Sequence, residues 1–212
     1  SVSGDRQSYE EPYFAKRRQL TQETLALWLG GEGASVDRVN DLIWSICEET
    51  TWVLPAHEGR NFSIDLFCAE TGAELAHVLL LVGHQLPEEI PQRVRSEITR
   101  RIIEPFLEHG GEFSWHEGRN NWTGVCAGSV GQIFLLLEPD VERQVKGLAL
   151  VLDALKNFME RGFEEDGVCL EGINYWNYGL LHFVAFADML RARTQGAMDL
   201  LAQEKVKAIA QY

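Results

Sequence analysis

Apolar residues recur at helical spacing along almost the whole chain, and strict apolar–polar alternation is nearly absent. After a polar, tyrosine-rich lead, the first such pattern covers residues 14–29 and stops at Gly30-Gly31. Ser35 or Asp37 offers an N-cap for a second helix over 36–51, which Trp52-Val53-Leu54-Pro55 breaks. Residues 57–62 read as a loop, and 64–83 as a long apolar helix closed by Gly83. The amphipathic stretch 88–109 ends at Gly110-Gly111 and holds Pro105, which implies a kink or an early stop. Residues 112–120 are polar and aromatic, hence loop. Patterns over 121–137, 141–161, 175–193 and 194–210 complete about eight helices.

The helices are of two kinds. Those over 65–82, 123–137 and 178–190 are rich in Ala, Gly and large aliphatics, with few charges. Those over 36–51, 88–108 and 141–161 have a charged face. A helix apolar nearly all round is buried, and an amphipathic one lies outside. The kinds alternate, and the apolar ones recur about every 55 residues, the layout of repeated helical hairpins. The expected fold is all-α: an incomplete α/α toroid with an inner ring wrapped by an outer one.

Three loops lead into the apolar helices: TWVLPAHEGRNFSID (51–65), EFSWHEGRNNWTG (112–124) and EDGVCLEGINYWNYG (165–179). Each carries Trp, acidic residues, Asn, and a His or Tyr. If the hairpins are equivalent, the loops open at one end of the ring. Aromatic rings beside amides and carboxylates are the chemistry of a carbohydrate site, where rings stack on sugar faces and amides bind hydroxyls.

Composition narrows the partners. The 212 residues, 45% apolar, fit one domain with a real core or at most two small ones, and no stretch is expected to reach the roughly 20 apolar residues that span a membrane. A start at Ser1-Val2-Ser3-Gly4 reads as a cut boundary. The net charge of −13, spread along the chain, argues against nucleic acid, which demands a basic footprint. Cys47, Cys68, Cys126 and Cys169 sit singly in apolar settings and read as buried free thiols. No CxxC or Cys/His pairing points to zinc, and no metal or cofactor is expected.

Taken together, TWVLPAH, IDLFCAETGAELAHVLLLVG, NNWTGVCAGSVG and DGVCLEGINYWNYG resemble the heparinase II/III-like family over its helical toroid domain, from about Asp37 to Leu190. The NNW and EGxxYWxYG blocks are the most specific parts. The resemblance implies a polysaccharide lyase that cleaves beside a uronic acid by β-elimination, with an acidic polysaccharide or oligosaccharide as partner. Such a reaction needs donors that neutralise the uronate carboxylate, a base for the C5 proton and an acid for the leaving oxygen. The family's helical contributors are an Asn, often followed by His, at the start of one inner helix and a Tyr at the start of the next. Here they fall on Asn120 or Asn121, and on Tyr178 or else Tyr175. Trp122 stands where family lyases often carry His, so His116, five residues before Asn121, is the available substitute. Family lyases also resemble two-domain proteins with a C-terminal β-sandwich that supplies a further His. This chain, read as a toroid fragment, is expected to hold at most half of such a site.

Each candidate also has a plain structural use. Tyr178 and Tyr175 can pack between helices, and Asn120 and Asn121 can cap one. Trp122 and Trp176 suit core packing as well as sugar stacking. Glu171 serves as general acid, hydroxyl ligand or solvated loop carboxylate. His57, from the PAH block, binds substrate or holds its loop. His77, His84, His109 and His182 read as core or cap histidines. Asp65 and Glu70 are expected to pair with Arg60 or Arg119, the latter also a substrate-binding candidate, to hold loops together. Two other function classes fit the same residues: an α/α-barrel glycoside hydrolase using Glu117 with Glu171 or Asp65, and a sugar-binding or assembly module without chemistry.

Overall fold

Continuous apolar patterns and well-placed caps make two helices legible to the residue in the computed structural model, which describes residues 6–58, 64–169 and 171–211. They are α6 (Asn121–Leu137) and α7 (Val141–Arg161). The Asp140 carboxylate accepts from the Arg143 amide and opens α7. The others are α1 (Gln7–Trp28), α2 (Val36–Cys47), α3 (Leu66–Val82), α4 (Glu89–Ile98), α5 (Glu104–His109), α8 (Ile173–Arg193) and α9 (Glu204–Gln211). A π-helical turn, Thr99–Ile103, leads from α4 into α5, where Pro105 occupies the first turn and so breaks no helical hydrogen bond. Among the described residues the only β pairing is one isolated bridge, Phe163 with Cys169. The all-α expectation holds.

Three bounds differ from the pattern, for local reasons. Helix α1 starts at Gln7, well before the apolar pattern, because its buried stripe is Tyr13, Arg17, Leu20 and Thr24. Leu25, Trp28 and Leu29 on the same helix are exposed. Helix α2 stops at Cys47: Trp52 Nε1 donates to the Ile46 carbonyl in its last turn, and just beyond it the Arg101 guanidinium donates to the carbonyls of Glu49 and Thr50. The helix predicted over 194–210 is present only as α9. Gln195 and Gly196 both have positive φ (53° and 84°), the Gly196 amide returns to the Arg191 carbonyl at 2.8 Å, and α8 ends there.

The chain forms two compact units, Ser1–Arg101 and Ile102–Tyr212. In the first, α1 packs on α2 and α3, and α4 on α2 and α3. In the second, α6 packs on α8 and α7, and α7 on α5. Helices α3 and α6 are buried over most of their surface, as their composition foretold. Helix α8 departs from that expectation: Leu181 and Val184 lie exposed, the former at 62%. Helix α3 with its following turn, Leu66–Gln85, is long and apolar enough to cross a membrane by length and composition, which corrects the expectation that no stretch is. Most of that stretch is buried within the protein.

The four cysteines are buried free thiols. Burial pushes the Cys47 thiol up to about 11 and raises Cys68 further, so neither is a thiolate at neutral pH.

Candidate functional site

The start of α6 and the start of α8 are brought together by one contact. Asn120 takes the extended N-cap conformation, yet its side chain makes no capping bond. Instead Glu171, just ahead of α8, reaches across 50 residues of sequence, and its carboxylate accepts the Asn121 amide at 2.5 Å. A carboxylate here satisfies an orphan N–H and meets the positive end of the α6 dipole. Gly172 follows with φ 92°, a conformation that suits glycine, and α8 begins at the next residue.

Behind that contact the two helices run at backbone distance. A Cβ on Gly124 would lie 2.6 Å from the Gly179 carbonyl oxygen, and one on Gly128 would lie 2.5 Å from that of His182. Only glycine fits at such separations. A Cβ on Gly179 would in turn lie 3.3 Å from Asn121 Cα and Cβ. Asn121 therefore sits directly against the residue that follows Tyr178, and it is 4% exposed.

Tyr175, Tyr178 and His182 are spaced three and four apart and so share one side of α8. Tyr175 is 53% exposed, while Tyr178 is half-buried. The Tyr178 and His182 rings meet edge to face, centroids 5.6 Å apart. His182 Nδ1 lies 3.1 Å from Oγ of the fully buried Ser129 on α6. Sequence reading placed His182 among core histidines and passed over Ser129. The spacing of His182 four residues after Tyr178 was the signal that links it to the site. Trp176 and Trp122 are half-buried at the two helix starts, and the Trp176 indole N–H is buried without a hydrogen-bond partner among the described residues.

The remaining candidates are held elsewhere. His116 lies in a 3-10 turn, Ser114–Glu117, that packs on both α6 and α7. Its Nε2 is 2.9 Å from the Asp153 carboxylate, its carbonyl accepts from Asn157 Nδ2 at 3.3 Å, and its buried Nδ1 has no partner among the described residues. Trp115 stacks in parallel on Phe106 and Phe113, which fixes that turn. Arg119 is 76% exposed on its side chain and pairs with Glu117 at 3.1 Å.

His57 belongs to the N-terminal unit. Its Nδ1 is 2.8 Å from the Asp65 carboxylate, and its ring stacks on Phe67. Asp65, 2% exposed, also accepts the Leu54 amide and caps α3 through the Cys68 amide at 2.8 Å. Asp65 thus clasps the first loop to α3 through His57 and backbone. Arg60, its expected partner, lies outside the described residues. Among the described residues no three His, Cys, Asp or Glu side chains gather closely enough to hold a metal ion.

No protein-family model matches the chain, and no curated protein matches it significantly.

Proposed function

We propose that this chain is the helical, sugar-binding part of a uronate polysaccharide lyase, with Tyr178 as the proton-transfer residue. The observation that carries the reading is the meeting of the NNW and EGINYWNYG blocks, both of which resemble blocks of heparinase II/III-like toroids. Tyr178 flanks the α6 start, next to the Gly179 that backs onto Asn121. His182, held by Ser129, stands at its ring edge. Tyr175 offers an exposed ring on the same helix side for stacking on a sugar face. The first amide of α6 already takes one carboxylate, that of Glu171.

The chemistry asked of Tyr178 is proton transfer at C5 of the uronate, with a further wall of the site completing the charge neutralisation. The test is incubation with alginate and glycosaminoglycan chains, reading the ultraviolet absorbance of an unsaturated uronate. Tyr178→Phe is expected to lower turnover by about 10²-fold or more and to leave oligosaccharide binding in place. An unchanged rate removes the Tyr178 assignment.

A second reading, sugar binding without turnover, is favoured by two observations. Asn121 is nearly fully buried, and His116 is tied to Asp153 on α7. Saturable binding of an oligouronate with no absorbance rise, in a preparation that includes every domain of the natural protein, selects it. The hydrolase reading draws less support, because Glu171 is engaged by the Asn121 amide and Asp65 caps α3.

A further inference from the structure

Helices α7 and α8 and the segment that leads into α9 enclose a cleft of about 390 Å³, within the C-terminal unit. Its walls are apolar: Leu152, Leu155 and Met159 from α7, Phe183 from α8, and Leu200 from the connecting turn. Phe183, Leu155 and Met159 are buried side chains, so this surface continues directly into the core. A cleft of this size with an apolar lining and a few polar groups at one edge has the make-up of a small-molecule site.

The polar edge is cationic in a chain of net charge −13. Lys156 and Lys205 line it, with Glu160 and Gln203. Lys156 is largely exposed, and its Nζ stands 3.9 Å from Glu160, a loose pair. Lys205 Nζ donates to the carbonyls of Phe163 and Glu164. An ammonium has three N–H groups, so one remains for a ligand. Those two carbonyls hold the Lys205 head in place. Two ammonium groups against one carboxylate leave the edge net positive beside an apolar floor.

We propose that this cleft binds an amphipathic anion, a carboxylate carried on an aliphatic body, with the chain against Met159 and Phe183 and the head between Lys156 and Lys205. The site is separate from the α6–α8 start and does not depend on the sugar-binding reading. The apolar walls, Leu152, Leu155 and Met159 among them, would leave the hydroxyls of a sugar ring unpaired.

The experiment is titration of the protein with decanoate, and separately with decanol, kept below micelle formation, following the Met159 methyl resonance. Decanoate should shift that resonance saturably, with decanol binding about fivefold more weakly. Lys156→Glu should weaken decanoate about fivefold and leave decanol unchanged. Leu152→Trp, which fills the cleft, should weaken both about tenfold or more, with circular dichroism confirming the fold. Lys156 is exposed, so its variant keeps the test decisive if Leu152→Trp does not fold. Absence of a saturable Met159 shift, equal affinity for decanoate and decanol, or insensitivity of decanoate to Lys156→Glu overturns the proposal.

Discussion

Where α1 meets α3, the contact is threaded with polar groups; where α6 meets α8, it is lined with glycine. Arg17 on α1 donates to Thr71 on α3 at 2.7 Å, to the Tyr13 carbonyl, and to both oxygens of Glu49. Its guanidinium also lies 3.3 Å from the Tyr13 ring centroid. The Tyr13 hydroxyl donates to the Trp52 carbonyl at 2.6 Å, and burial raises its pKa well above the usual tyrosine value. That contact is specified by directional bonds. The α6–α8 contact is specified by steric exclusion, since Gly124 and Gly128 leave no room for a Cβ. The first design depends on charge state and so on pH; the second depends chiefly on volume. The region proposed to handle substrate is thus packed by shape, with the ionisable side chains Glu171, Tyr178 and His182 beside that glycine seam.

The comparison breaks most sharply at Gly128. Gly128→Val places carbon atoms on the His182 backbone and should cost about 4 kcal/mol or more, read by urea denaturation, with Tyr178–His182 geometry lost alongside. A loss below 1 kcal/mol would mean the helices separate freely and shape does not specify this contact.

Next comes Arg17→Ala, which strands Glu49 and Thr71 in a buried setting. It should cost about 3 kcal/mol, at the low end for a broken buried pair, because Lys16 still reaches Glu49 at 2.9 Å. A double-mutant cycle with Glu49→Gln should show strong coupling. Independent, additive losses would contradict the network.

Glu74 on α3 sharpens the pH side. Burial pushes its carboxyl up to about 7 from the ordinary 4.5, with Thr21 as hydrogen-bond donor and Arg17 opposing the shift. The folded protein therefore holds that proton more tightly than the unfolded chain. The sign follows: the Glu74 contribution to stability is fully present below about pH 4.5, is lost as pH rises toward 7, and stays lost above. Glu74→Gln should remove the fall and gain about 2 kcal/mol at pH 8, after allowance for partial exposure. Equal stability of both proteins at pH 8 would rule out the shift.

The smallest effect is expected at Glu171. Glu171→Gln keeps a hydrogen-bond acceptor at the Asn121 amide but removes the charge facing the α6 dipole, for a cost of about 0.5–1 kcal/mol. Raising the salt concentration should shrink the difference. A salt-independent loss would point to packing instead.

The legibility of this molecule follows the range of each interaction. Helices α6 and α7 were readable because their signals are local: an unbroken apolar run in one and Asp140 at the cap of the other. Helix α1 was misjudged in extent because its buried stripe contains Arg17 and Thr24, whose burial makes sense only once Glu49 and Thr71 are in place. The stop at Gln195-Gly196 was a local signal passed over in favour of a continuing pattern. At the candidate site, the blocks that hold Tyr178, Tyr175 and Asn121 were legible in the sequence, but their spatial relation was not. Glu171 as the acceptor at α6, and Ser129 as the anchor of His182, each join positions about 50 residues apart in the chain.

Periodicity and caps thus determined the helical class, most of the helix bounds and the burial of the cysteines, since each depends on neighbours within a turn or two. Tertiary structure alone decided which polar residues go inside, that Asp65 clasps His57, that His116 faces α7, and that EGINYWNYG meets NNW. Those outcomes rest on pairings across long stretches of chain, where a buried polar group is tolerated only when its partner arrives with it.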